Sequence, residues 1–101
     1  MKYLYRYAAA ALLAASLPAH AALPPQYQRT AELKAILDNA DVVGAFEGRP
    51  IDRVEWVAED QYRVTAGRCI LAVAIVGKPL PPGMVGARRF DVVPGKVECT
   101  E

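Results

Sequence analysis

The spacing of apolar residues changes once along the chain, near residue 51. The apolar residues from Leu33 to Ala40 recur at the three- and four-residue intervals of one helix face. Thr30 has a side chain suited to an N-cap. The pattern therefore predicts an amphipathic helix from about Ala31 to Asn39, preceded by an extended lead-in over residues 22–29.

Two acidic residues give further information on where the predicted helical segments begin. Glu32 would lie in the first turn of the predicted helix, where the helix dipole favours a carboxylate. Asp41 could cap a short second helical segment that ends at Gly48, before Pro50.

From residue 51 onward apolar and polar residues alternate, which predicts strands over residues 53–58 and 62–66. A three-residue loop between these strands would align Trp56 with Val64 and keep the apolar side chains on one face. On that face we expect Trp56 to be a core residue and not a platform for a ligand.

The next segment is the most apolar of the chain. Residues 67–68 suit a two-residue hairpin turn, which would align Ala66 with Cys69. Every residue from Cys69 to Val76 is apolar, which is typical of a central strand covered on both faces.

A proline-rich loop over Gly77–Gly86 precedes two further predicted strands, at residues 87–93 and 96–100. A flat meander of five strands would leave the two cysteines too far apart for a disulfide, so we expect the last segment to fold back after residues 94–95. The predicted fold class is α+β: one or two N-terminal helices packed on a curved, mainly antiparallel sheet of four or five strands.

Residues 1–21 have the three-part pattern of a secretory signal peptide. Lys2 and Arg6 precede the apolar run Ala8–Leu17, and Ala19 and Ala21 are the small residues that a signal peptidase recognises. Cleavage would leave one small domain, residues 22–101, in the periplasm or outside the cell, with no stable membrane insertion. An uncleaved anchor is the alternative, but an apolar run of ten residues is too short to span a bilayer.

The chain has two cysteines, Cys69 and Cys99. In a small exported domain an even count indicates a disulfide. A redox-active pair is the alternative, but such pairs are usually close in sequence, as in Cys-X-X-Cys.

The composition of residues 22–101 excludes several chemistries. The only serine, Ser16, and the only histidine, His20, lie in the predicted signal peptide. A serine or cysteine triad therefore lacks its base, and zinc and copper lose their commonest ligand. We expect no cofactor. Ten basic and eleven acidic residues also argue against a nucleic-acid partner.

Carboxylate pairs remain as candidate catalytic groups. Asp52 with Glu55, or Glu59 with Asp60, could act as the acid and base of glycoside cleavage. A domain of this size has little room for the cleft that this reaction needs, so solvated charges are the favoured interpretation.

Two segments are candidate partner-binding surfaces. The proline-rich loop loses little entropy on docking and offers an apolar tip, although it could also be a stiff connector whose apolar residues cap the core. Basic residues could form a patch for an anionic partner, with solvated surface as the alternative. The loop candidates are Lys78, Pro79, Leu80, Pro81, Pro82, Met84 and Val85, and the patch candidates are Arg68, Arg88, Arg89 and Lys96.

These observations favour a non-enzymatic exported binding protein, for example an inhibitor or an immunity-type partner of another envelope protein. The alternative is a small-ligand carrier or an enzyme that uses carboxylates alone. A deep pocket with two carboxyl groups would favour the enzyme, whereas a filled core and an exposed apolar loop would favour partner binding. The sequence leaves the oligomeric state open.

Overall fold

The computed structural model of the protein describes residues 23–101, so the predicted signal peptide and its cleavage site lie outside the described residues. Two helices precede a four-stranded antiparallel sheet, which confirms the α+β prediction. Within residues 23–101 no helix combines the length and the apolar character needed to cross a membrane. The elements are α1 (Pro25–Asp38), α2 (Ala40–Ala45), β1 (Arg53–Ala58), β2 (Gln61–Ala66), β3 (Cys69–Lys78) and β4 (Arg89–Cys99).

Helix α1 begins at Pro25, well before the predicted start, so the prediction of an extended lead-in is wrong. Proline is favoured at the first helical position because its fixed φ suits the helix and its missing N–H would have no partner there. Thr30 is therefore inside the helix and caps nothing; its hydroxyl donates to the Gln26 carbonyl at 2.9 Å.

Asn39 separates the two helices. It adopts an extended conformation, and its Oδ1 accepts hydrogen bonds from the backbone N–H groups of Asp41 and Val42, at 2.9 and 3.0 Å. Asn39 is thus the N-cap of α2, in place of the predicted Asp41.

The β1–β2 turn contains two residues, 59–60, and not the predicted three. The register shifts at Val57, and this bulge pairs Trp56 with Tyr62 instead of Val64. A two-residue turn alone would have put apolar side chains of one strand opposite polar ones of the other. The bulge corrects this mismatch by adding one residue to β1.

The β2–β3 turn at residues 67–68 is as predicted, and it pairs Ala66 with Cys69. Strand β3 lies between β2 and β4, but the expectation that both its faces are covered is wrong for the described residues. Its inward side chains are buried, whereas Ile70 and Val76 on the other face are 43% and 48% exposed.

Strand β4 is one continuous strand where two were expected, and an irregularity in pairing near Pro94 takes the place of the break. It pairs directly with β3, so Cys99 lies opposite Cys69, with a Cα–Cα distance of 4.0 Å and an S–S distance of 2.06 Å. The disulfide is confirmed. The fold-back predicted after residues 94–95 is wrong, because in a four-stranded sheet the two cysteines already lie on neighbouring strands.

The core lies between the helices and one face of the sheet, here called the inner face. Leu37, expected in the apolar stripe of α1, is half-exposed, while Glu32 and Ile36 point inward. The buried apolar residues are Ile36, Val42, Phe46, Tyr62, Val64, Ala66, Cys69, Leu71, Val73 and Ile75.

Candidate functional site

A polar cleft lies between the first half of α1, the β1–β2 turn and the residue before β4. Its centre is Glu32, which is only 6% exposed. The Glu32 carboxylate accepts a hydrogen bond from the Tyr62 hydroxyl at 2.7 Å and one from the Gln28 side-chain amide at 2.7 Å. Arg88 Nη1 lies 3.7 Å from its Oε2. The buried charge is therefore compensated by two donors and a cation.

Arg88 connects this carboxylate to a second one. Its guanidinium donates to both carboxylate oxygens of Asp60, at 2.9 and 3.2 Å, and these hydrogen bonds raise the pKa of Arg88. Gly77 leaves space for the guanidinium, since a Cβ at that position would lie 3.0 Å from Arg88 Nη2. Asp60 has a positive φ of 59°, so the tight turn presents its side chain to Arg88.

Burial of Tyr62, reinforced by its hydrogen bond to Glu32, raises the pKa of the phenol to about 12. Tyr62 is therefore a protonated donor at neutral pH. Glu32 and Asp60 are both held in hydrogen bonds that connect α1, the β1–β2 turn and Arg88. This arrangement stabilises the packing of α1 on the sheet.

Trp56 also lines the cleft. The residue is 48% exposed, which corrects the prediction that it is a core residue. The reason is its position on β1, an edge strand, with the Arg29 guanidinium stacked 4.4 Å from the ring centroid. The cleft volume is about 270 Å³.

The two members of the other carboxylate pair considered from the sequence have different partners. Asp52 accepts a hydrogen bond from the Gly67 N–H at 2.6 Å, whereas Glu55 pairs with Arg53 at 3.3 Å. Within residues 23–101 no group of three or more His, Cys, Asp or Glu side chains is placed to hold a metal ion.

The loop between β3 and β4 spans residues 79–88, and its tip is apolar and solvent-exposed. Met84 is 60% exposed and Val85 is 84% exposed, while Leu80 is half-buried. The exposed tip is the arrangement that the partner-binding interpretation requires. At the base of the loop, the Lys78 ammonium pairs with the Asp91 carboxylate at 3.0 Å.

The structure does not bring the predicted basic patch together. Arg68 lies in the β2–β3 turn, whereas Arg89 opens β4 at the opposite end of the sheet, where it pairs with Lys78. Arg88 is directed to Asp60, and Lys96 lies three residues before the end of β4 at Cys99. Arg68 and Lys96 therefore lie toward one end of β3 and β4, and Arg88 and Arg89 lie at the other end.

The second face of the sheet, here called the outer face, is uncovered in the described part of the chain. A shallow groove of about 410 Å³ runs across its centre, over two small residues of β3. The lining of the groove includes the apolar residues Val57, Ile70, Ala72, Ala74, Val93 and Pro94.

Reasoning from the sequence missed the Glu32 cluster, although two signals were present. Glu32 lies four residues before the buried Ile36, so a helix that buries Ile36 also turns Glu32 inward. Tyr62 occupies an apolar position of a strand, and a buried tyrosine hydroxyl usually has a hydrogen-bond partner. Its partner lies 30 residues away, and sequence spacing does not reveal such a pairing.

Comparison of this chain with protein-family models, with curated proteins and with solved structures gave no match.

Proposed function

We propose that this is an exported, non-enzymatic binding protein that docks onto another exported protein through the β3–β4 loop. The observation that carries the proposal is the exposure of Met84 and Val85 at the loop tip. Two neighbouring apolar side chains in water have an unfavourable hydration that an apolar pocket on a partner would relieve.

The sequence and the backbone conformation of the loop support this role. Pro79, Pro81 and Pro82 restrict the backbone before binding, which lowers the entropy lost on docking. Gly83 has a φ of 81°, a conformation that favours glycine and that turns the chain just before Met84. Strands β3 and β4 hold both ends of the loop, so its tip is presented from a rigid base.

The chemistry of the cleft supports a non-enzymatic role. Glu32 and Asp60 already share Arg88, and Tyr62 is a protonated donor at neutral pH. Residues 22–101 contain neither serine nor histidine. Of the groups that commonly act as nucleophile or general base, serine and histidine are thus absent from residues 22–101, and two carboxylates of the cleft, Glu32 and Asp60, are engaged in hydrogen bonds.

Two observations support export to the periplasm or the cell exterior. The first 21 residues have the signal-peptide pattern, and Cys69 and Cys99 form a disulfide. Structural disulfides form and persist mainly in oxidising compartments.

The test is affinity capture with matched variants of residues 22–101, followed by titration of the captured protein. Met84→Asp with Val85→Asp places two charges at the loop tip. Leu37→Asp with Val43→Asp is the control, because these side chains on the helices are each 49% exposed. We expect wild type and control to bind the same protein, and the loop variant to bind it at least about tenfold more weakly. Equal binding by all three proteins would contradict the proposal.

A second candidate function is small-ligand binding in the cleft beside Trp56, favoured by the half-exposed ring and the Arg29 guanidinium above it. Trp56 is the only tryptophan, so its fluorescence reports on this cleft alone. Titration with carboxylate-bearing sugars should shift the emission if the cleft is a binding site. An emission spectrum that does not respond, together with partner capture through the loop, would favour the first proposal.

A further inference from the structure

The outer face of the sheet carries an apolar centre that no described part of the chain covers. Strand β3 is apolar on this face as well as on the inner one, a pattern typical of strands that are covered on both sides. We infer that a second copy of this chain covers the outer face, in a two-fold symmetric dimer with the two sheets packed face to face. This inference concerns a surface distinct from the β3–β4 loop and does not depend on the proposed function.

The strand order determines which residues meet. A two-fold axis parallel to the strands, above the line between β2 and β3, places β1 over β4 of the second copy and β2 over β3 of the second copy. This two-fold rotation does not change the position of a residue along the strand direction. Residues in one cross-strand row of the sheet therefore face the same row of the second copy.

In the first row, opposite charges meet. Arg53 pairs with Thr65, Thr65 with Ile70, and Ile70 with Glu98. Arg53 on β1 thus faces Glu98 on β4 of the second copy, and Thr65 faces Ile70. The symmetry repeats both contacts.

Opposite charges also meet in the next outward-facing row, where Glu55 pairs with Arg63 and Arg63 with Ala72. Lys96 lies at the irregularity of β4 opposite Ala72, and alternation from Glu98 directs it to the outer face. Glu55 thus faces Lys96 of the second copy. The charges at both margins of the apolar centre are self-complementary.

Side-chain size is complementary as well. The long side chains of β2, Gln61 and Arg63, lie over the small Ala74 and Ala72 of the second copy, in the groove of about 410 Å³. An Arg63 stem can pack on the alanines while its guanidinium stays near Glu55, which lies 3.9 Å away in the same chain.

An arrangement with the axis perpendicular to the strands, through the row of Glu55 and Arg63, is disfavoured. This axis would place Glu55 against Glu55 of the second copy, and Arg63 against Arg63 of the second copy. Like charges would then meet at the centre of the interface. Charge complementarity therefore favours the axis parallel to the strands over an axis through this row.

The test is the oligomeric state of oxidised residues 22–101, measured by sedimentation velocity over a concentration series. We expect a concentration-dependent dimer. Arg53→Glu alone and Glu98→Arg alone should each raise the dimer dissociation constant by about tenfold, since two attractive contacts become repulsive. The double variant should restore wild-type dimerisation. Three strand spacings, about 14 Å, separate the two residues within one chain, so the restoration reports contacts between copies.

Lys34→Glu, on the exposed side of α1, is the control for a change of net charge and should leave the dimer unchanged. Circular dichroism of each variant verifies that it is folded, and if one single variant misfolds, the other single variant carries the comparison. A wild-type chain that stays monomeric up to about 1 mM would overturn the inference. So would a folded double variant that dimerises no better than the single variants.

Discussion

At the scale of single residues, the hydrogen bond between Tyr62 and Glu32 connects the helical layer to the sheet. Tyr62→Phe keeps the ring in the core and removes one donor from a buried carboxylate. We expect the free energy of unfolding to fall by about 1 to 3 kcal/mol, as measured by urea denaturation. Tyr27→Phe is the matched control, because Tyr27 is 60% exposed. Equal stability of the two variants would show that the Tyr62 hydroxyl does not stabilise the fold.

The same hydroxyl should make stability depend on alkaline pH. The pKa of Tyr62 is about 12 in the folded protein, against 10.0 ordinarily, so between these values the folded state binds more protons than the unfolded state. The contribution of Tyr62 is complete below pH 10 and is lost as the pH rises toward 12, with a slope of at most about 1.4 kcal/mol per pH unit. Urea denaturation at several pH values should show this decrease in wild type and not in Tyr62→Phe. Identical slopes would place the titrating group elsewhere.

At the scale of secondary-structure elements, the disulfide joins the start of β3 to the end of β4, across a sequence separation of 30. A cross-link of this span restricts the unfolded chain by about 3.5 kcal/mol in the chain-entropy model. We expect Cys69→Ala with Cys99→Ala to lose a stability of this order in urea, and reduced wild type to behave similarly. A variant as stable as the oxidised protein would contradict the assignment of a stabilising role.

How far the elements follow from the sequence depends on what sets each boundary. The β2–β3 hairpin was predicted with its register because a two-residue turn that begins with Gly67 leaves little choice. The β1–β2 register was not predicted, because the mismatch that a two-residue turn creates can be removed either by a third loop residue, as expected, or by a bulge at Val57, as observed. The start of α1 was missed because two consecutive prolines suggest an extended chain, although Pro25 is well suited to the first helical turn.

The candidate sites also differ in whether their residues are contiguous in the sequence or are brought together only by the fold. The loop over residues 77–86 could be singled out as a candidate surface because its prolines, glycines and apolar residues are contiguous in the sequence, but the sequence left open whether its apolar tip is exposed or caps the core. The Glu32 cluster was not predicted, because Arg88 and Asp60 come from segments 28 residues apart and meet only when the sheet forms. The four candidate basic residues do not form one group for the same physical reason: residues grouped by charge alone are separated by the length of β3 and β4.

At the scale of the whole molecule, the helices cover one face of the sheet and leave the other uncovered in residues 23–101. The apolar outer residues of β3 are consistent with the two-sided burial that the sequence pattern indicates, once a second copy is placed over them. The loop tip is a separate surface, beyond the last paired residues of β3 and β4. The proposed dimer and the proposed partner would therefore use different surfaces of the chain.

Site-specific photo-crosslinking tests the central claim, that the loop tip binds another exported protein, most directly. A photoreactive residue replaces Val85 in the full chain, in the cells that produce it, and a second strain carries it at Lys34, which is also exposed but lies on α1. The proposal predicts that the residue at position 85 crosslinks the chain to one other protein, which gives a product of higher mass than the chain alone. The residue at position 34 should not crosslink the chain to that protein. Failure of position 85 to form an adduct, or the same adducts from both positions, would contradict it.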